Sequence, residues 1–264
     1  MTIVRQVTSR HNDLFKDLRK LLAEPTAYRK LGRVWIEGDH LCRALLARGR
    51  VPARAIVTES GWATPALEAL GRAAPEVVCI PDALMRELSG LESPAPIGFL
   101  IDADPALVPQ PGRDTVVLDR LQDPGNVGSI LRTASAMGFT QVVALKGSVA
   151  LWSPKVLRAG MGAHFGLALV EGAAIADLAA LGLALVGTHL RDARWLHETA
   201  LPSPLAWVFG HEGQGMSDAV AAACSLRIRI AQPGGEESLN VAAAAAICLH
   251  ESTRQRAVQS SLRS

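Results

Sequence analysis

The chain lacks the marks of several large protein classes. Its four cysteines, Cys42, Cys79, Cys224 and Cys248, are scattered with no C-x-x-C pair. That fits neither a disulfide framework nor a zinc site, and the four read as reduced, mostly buried small residues. The longest uncharged apolar stretches, residues 178–187 and 241–249, fall far short of the roughly 18 residues that a bilayer span needs. The opening MTIVRQVTSRHNDLFKDLRK alternates charge with apolar residues and has no continuous apolar core, so a secretory signal is not expected and a cytoplasmic location is. No G-x-x-x-x-G-K-[ST] occurs. Gly210, Gly213 and Gly215 give G-x-x-G-x-G, the wrong order for a dinucleotide fingerprint, and Gly160 and Gly162 lack a third glycine at the required place. P-loop hydrolysis and ordinary Rossmann redox chemistry are set aside. The histidines show no metal-ligand spacing, and no metal is expected.

What is present is a foldable chain of 264 residues, 49% hydrophobic and 20% charged, with mean hydropathy +0.20. Such a chain buries a real core and fits one large or two modest domains. The net charge is only +2, yet residues 1–50 hold eleven Lys/Arg against five Asp/Glu, leaving sixteen against twenty for the rest. A local excess of that kind attracts polyanions, nucleic acid first among them, although a solvated helix face accounts for the charge equally well. Residues 12–23 place Leu14, Phe15, Leu18, Leu21 and Leu22 on one helical stripe and Lys16, Arg19 and Lys20 on the other.

Short strand-like runs follow: RVWIE (33–37), RAIVT (54–58), EVVCI (76–80) and IGFLI (97–101), with helix-like pieces around 40–47, 65–70 and 83–88. This predicts a small α/β domain over 1–104. Residues 102–114 have three prolines and no periodicity, so a linker is expected at 105–112 and a second domain over 113–264. There TVVLD (115–119), QVVAL (141–145), LALVG (183–187), AWVFG (206–210) and LRIRI (226–230) are separated mostly by helix-length segments. That alternation predicts a parallel sheet covered on both faces, with ligands beyond the carboxyl ends of its strands.

Three glycine-rich loops follow such ends and lead into helices: RLQDPGNVGS after Asp119, HEGQGM after Gly210 and AQPGGEES after Ile230. Glycine permits close ligand approach, and a helix start offers unpaired N–H donors, so the three could cradle a nucleotide-like ligand. Singly, their polar residues are ambiguous. Arg132, expected on the first turn and a half of its helix, could pair with Asp119 or Asp123. Glu212 could be a carboxylate favoured by a helix dipole. Ser238 and Asn240 could be caps. The five tryptophans read as core, not as base-stacking platforms.

In combination, LDRLQDPGNVGSILRTASAMGF, VFGHEGQGMS and IRIAQPGGEESLNVAAAAAICLHE resemble, in order, the three signature motifs of the SpoU-TrmH branch of the SPOUT RNA methyltransferases. The resemblance covers about residues 115–255, and PKVLRAGMGAHF (154–165) also resembles a family segment. The first hundred residues, including RVWIEGDHLCRALL, more loosely resemble the substrate-binding domain of many members, which has a ribosomal-protein-like α/β fold. The resemblance implies a knotted parallel-sheet α/β domain, usually a homodimer, that binds S-adenosylmethionine and methylates a ribose 2′-oxygen in RNA, ribosomal RNA before tRNA. It carries Asn126, Arg132, Glu212, Ser238 and Asn240 onto active-site positions and Gly210, Ile230 and Leu239 onto cofactor positions, with Thr188 as their neighbour. Ala231 stands where the family usually has proline and Ala242 where serine is common, which leaves the fine shape of that loop open.

The family proposal makes the arginine matching Arg132 a general base, but a guanidinium with pKa above about 12 is normally charged throughout. Binding a phosphate and stabilising the developing alkoxide suit it better, with Asn126, Ser238 and Asn240 fixing ribose and loops and Glu212 orienting Arg132 or the cofactor's amino group. Lys16, Arg19 and Lys20, with Lys155 and Arg158, are the candidate RNA-phosphate contacts. A base-directed relative, a tRNA 2′-O-methyltransferase and a non-catalytic RNA-binding assembly factor are the alternatives.

Overall fold

The computed structural model describes residues 2–89, 92–103, 107–190, 192–234 and 238–261. The chain forms two compact units, Met1–Pro105 with Trp152–Phe165, and Ala106–Leu151 with Gly166–Ser264. In the first unit β1 (Ile3–Gln6) precedes α1 (Asp13–Ala23), α2 (Ala27–Leu31), β2 (Arg33–Glu37), α3 (Asp39–Ala47), β3 (Arg54–Thr58), α4 (Glu59–Trp62), α5 (Pro65–Gly71), β4 (Glu76–Ile80), α6 (Asp82–Leu88) and β5 (Ile97–Asp102). The strands form a mixed sheet in the order β1-β4-β3-β5-β2, parallel from β1 to β3 and antiparallel from β3 to β2. The four strands and the helices read from hydropathy are present. β1 is the strand that pattern could not find, because all four of its residues are exposed and only its pairing with β4 defines it.

Helix α1 begins where Asn12 Oδ1 accepts the Leu14 N–H at 3.0 Å, and it buries Phe15, Leu18 and Leu21. Leu14 and Leu22 flank that stripe half-buried, and Lys16, Arg19 and Lys20 are exposed. Gly98 in β5 is required by packing. A Cβ there would overlap the ring of Trp35, itself 4% exposed.

The second unit runs β6 (Thr115–Asp119), α7 (Pro124–Ala136), β7 (Gln141–Leu145), then, after α8 (Pro154–Gly160) in the first unit's inserted segment, β8 (Ala168–Ala173), β9 (Ala184–Thr188), β10 (Arg194–Trp195), β11 (Leu205–Gly210), α9 (Asp218–Ala223), β12 (Leu226–Arg229) and α10 (Val241–Ser261). Its seven strands are all parallel, in the order β10-β12-β9-β11-β6-β7-β8. Every residue of β6, β7 and β11 is buried, the signature of central strands covered on both faces. Within this core Gln141 is satisfied by Gln110 and Thr115, and the Trp207 Nε1–H donates to Ser252 Oγ on α10 at 2.8 Å. β8 and β10 escaped the sequence pattern. β8 is broken by Glu171 and Gly172, opposite a register shift in β7, and β10 is only two residues long.

Gly98→Ala should destabilise the protein by about 1–3 kcal/mol, the usual cost of forcing an extra carbon into a filled core. Urea unfolding followed by tryptophan fluorescence measures it, and an unchanged midpoint would mean that Trp35 can step aside.

Candidate functional site

Three neighbouring strands of the second unit, β9, β11 and β12, end at one open cavity of about 490 Å³, and the loop after β6 adjoins it. The loops are held by specific bonds. At the end of β6 the buried Asp119 carboxylate accepts the Ser217 N–H at 2.6 Å and the Arg120 Nε–H at 3.2 Å. Arg120 itself has φ of 61°, uncommon for a residue with a side chain, and its guanidinium reaches Gln214 Oε1 at 3.2 Å and the Gly215 carbonyl at 3.5 Å. The chain then turns into α7, where Asp123 Oδ1 caps the helix by accepting the Asn126 N–H at 2.7 Å.

The second loop folds back on itself. The Gly215 N–H donates to the His211 carbonyl at 2.8 Å, and the loop backbone lies so close across the end of β11 that a Cβ on Gly210 would overlap Gly215 and Met216. Glycine at 210 is therefore fixed by backbone packing.

Glu212 joins the loops. Its carboxylate accepts the backbone N–H of Asp123 at 3.0 Å and of Gln122 at 3.3 Å, and the Asn126 side-chain amide at 3.4 Å. Partial burial pushes its pKa up, but the N–H donors of Asp123, Glu212 itself and Gln122 and the Asn126 amide outweigh that and hold it below the usual carboxylate range. Asn126 Oδ1 in turn accepts from Asn240 Nδ2 at 3.0 Å, and Asn240 Oδ1 caps α10 by accepting the N–H groups of Ala242 and Ala243. A single chain of bonds, Glu212 to Asn126 to Asn240, thus spans all three loops.

Thr188, Gly210, Ile230 and Leu239 all line the cavity, together with Glu212 and Ser238. Asn126 and Asn240 are not among the lining residues; Asn126 is bonded to Glu212, and Asn240 to Asn126. Arg132 is placed differently from the expectation. It is the ninth residue from Pro124, so it lies more than two turns and about 12 Å along α7 rather than within a turn and a half. Its side chain is exposed and has no hydrogen bond or ion pair among the described residues; Asp119 is bonded instead to Arg120 and Ser217, and Asp123 caps the helix. Lys16, Arg19 and Lys20 are on α1, and Lys155 and Arg158 on α8, all exposed and all in the first unit. Lys16 pairs with Asp13 at 2.9 Å and Arg19 with Glu87 at 2.7 Å.

The cavity also has walls that motif reasoning missed: Arg229, Gln232 and His189. Arg120 is a further omission, and its position directly after the aspartate of LDRLQDPGN was the only signal for it. Among the described residues no cluster of three His, Cys, Asp or Glu could hold a metal ion, and no helix is long and apolar enough to cross a membrane.

Residues 114–250 match the SpoU rRNA Methylase family. The chain is 30% identical to an uncharacterised tRNA/rRNA methyltransferase of Synechocystis, over 96% of this chain and 95% of that one. It is 28% identical to the 23S rRNA (guanosine(2553)-2′-O)-methyltransferase RlmP of Bacillus subtilis, over 94% of this chain and 98% of that one. The crystal structure of an AdoMet-bound rRNA methyltransferase from Sinorhizobium meliloti superposes with a TM-score of 0.81 at 26% identity, covering 95% of this chain and 98% of that one.

The lowered pKa of Glu212 sets a pH dependence. The stabilisation it contributes is complete above the unfolded glutamate value and is lost as pH falls through the lower folded value. Glu212→Gln should therefore lower the melting temperature at pH 7, with the gap to the unsubstituted protein closing in the acid range below about pH 4.3. Thermal unfolding of both proteins from pH 7 to pH 3 reads this, and a gap independent of pH would show that the loops do not rely on the ionised carboxylate.

Proposed function

The chain belongs to the SpoU rRNA methylase family, and on that premise we propose that it methylates a ribose 2′-hydroxyl of ribosomal RNA at the three joined loops, using S-adenosylmethionine. The observation that carries the reading is the bonded chain Glu212–Asn126–Asn240 around a cavity lined by Thr188, Gly210, Ile230 and Leu239. Two buried polar atoms in that wall, Arg229 Nε and Gln232 Oε1, have no partner among the described residues, which suits a cavity built for a polar ligand. When bound, S-adenosylmethionine supplies an electrophilic methyl group on a sulfonium.

The protein's part is alignment and charge. Asn126 and Asn240 spend their amides on each other, on Glu212 and on the α10 cap, so they fix the loops and leave the exposed Ser238 hydroxyl at the cavity to meet the ribose. Glu212 holds the first loop and makes no bond to Arg132. Arg132, exposed and without a counter-ion among the described residues, takes an RNA phosphate and stabilises the alkoxide as the hydroxyl proton leaves to phosphate or water. Selectivity for RNA over DNA is inherent in a reaction at the 2′-hydroxyl. The first unit captures substrate through Lys16, Arg19 and Lys20, with Lys155 and Arg158. Their ion pairs with Asp13 and Glu87 are exposed and weak enough to give way to phosphate. The family resemblance extends the proposal to a knotted second domain, a homodimer and action in the cytoplasm.

Arg132→Ala should lower turnover by about 10²-fold or more while leaving cofactor affinity unchanged, whereas Leu239→Arg should abolish cofactor binding by filling the cavity. Calorimetry and single-turnover methylation separate the two. Mass spectrometry of product nucleosides should place the added mass on the sugar, and mass retained on the base would select a base-directed enzyme.

Replacing Lys16, Arg19 and Lys20 by Glu should weaken RNA binding and lower the log–log salt slope by roughly 0.7–0.9 for each phosphate no longer neutralised. An unchanged slope would return α1 to an ordinary solvated surface.

A further inference from the structure

The cavity wall contains a cation that the reaction scheme does not use. Arg229 ends β12, and its strand register sets it beside Trp195 of the edge strand β10. Its guanidinium carbon stands 3.6 Å from the centre of the Trp195 ring, so the planar group is stacked on the indole. The residue is half-buried and lines the cavity, yet among the described residues its side chain, Nε included, makes no hydrogen bond or ion pair.

A guanidinium keeps its charge at any physiological pH. Holding one half-buried without a counter-ion is unfavourable, and the indole compensates only part of that loss. The one carboxylate among the described lining residues is Glu212, and it is already bonded to two backbone N–H groups and an amide. The arrangement is a cation oriented by an indole on the cavity wall, with no anion paired to it among the described residues.

Resting on the reading of this cavity as the S-adenosylmethionine site, we propose that Arg229, held flat by Trp195, binds the carboxylate of the cofactor's methionine moiety. The planar fork matches a carboxylate through two parallel N–H bonds. Stacking removes the rotamer freedom that a free arginine would lose on binding, so the clamp is set before the ligand arrives. Trp195 is then a positioning residue, acting through Arg229.

The test is calorimetric titration of the full-length protein with S-adenosylhomocysteine and with 5′-methylthioadenosine, which has the same nucleoside and thioether but no amino-acid carboxylate. Arg229→Leu should weaken S-adenosylhomocysteine binding about 10- to 100-fold and leave 5′-methylthioadenosine binding unchanged. Because a cation does not attract the ammonium that the second probe also lacks, the difference reports the carboxylate. Arg229→Lys and Trp195→Leu should fall between, the first keeping charge without the fork and the second keeping the fork without its support. Unchanged S-adenosylhomocysteine affinity in Arg229→Leu would overturn the proposal. So would an equal loss for both probes, which would mean a deformed cavity. If instead only RNA affinity and its salt slope fell, the anion would be a phosphate and the proposal would be wrong. A protein that binds neither probe before substitution would overturn the cofactor reading itself, a result distinct from all of these.

Discussion

An ionised carboxylate with three N–H donors converging on it is the contact around which the second unit's loops are organised. Parallel strands deliver their following loops to one edge of the sheet, and loops that arrive there bring backbone donors and acceptors with no ladder partners left. Glu212 accepts from two of those donors, on Gln122 and Asp123, and through Asn126 reaches the cap of α10. The amide orientations follow from it. A carboxylate can only accept, so Asn126 presents its Nδ2 to Glu212 and its Oδ1 to Asn240, and Asn240 must turn its own Oδ1 toward the start of α10. One charge fixes the direction of four hydrogen bonds in succession, and with them the shape of the cavity mouth.

The same geometry separates two kinds of residue that motif reading treats alike. Asn126, Glu212 and Asn240 are bonded in a chain and hold the frame, whereas the side chains of Ser238 and Arg132 make no hydrogen bond among the described residues and are left for a substrate. Glu212 can be described as a carboxylate at a helix start and as part of the site at once, since the helix start it serves is that of α7, far along the chain from its own loop. The two units divide the electrostatic labour as well. The first contributes the exposed lysines and arginines of α1 and α8, and the second contributes the cavity and the bonded loops.

Much of this was legible because the central strands are continuous apolar runs bounded by glycine, proline and aspartate, which need no tertiary information to be found. RVWIE and TVVLD match β2 and β6 residue for residue. The elements that escaped are those whose identity is purely relational. β1 has no buried residue and exists only by pairing with β4, and β10 is two residues long. The site divides in the same way. Cap residues, glycines and loop polar groups sit in local motifs, but the stack of Arg229 on Trp195 joins positions in different segments that meet only when β10 pairs with β12. The displacement of Arg132 along α7 came from a helix start at Pro124, earlier than the glycine-rich spelling of the loop suggested.

The close backbone contact at Gly210 has a bearing on how such a protein can diverge. With no room for a Cβ there, and with main-chain atoms of Gly215 and Met216 as the obstruction, position 210 of the cavity lining admits no side chain. At that point the wall is made of main-chain atoms, which every sequence shares. Accumulating substitutions therefore have nothing to act on at that point, while the exposed basic residues of α1 and α8 meet no such constraint. A lineage descended from this chain could drift toward a new nucleic-acid target long before it could drift away from its small ligand.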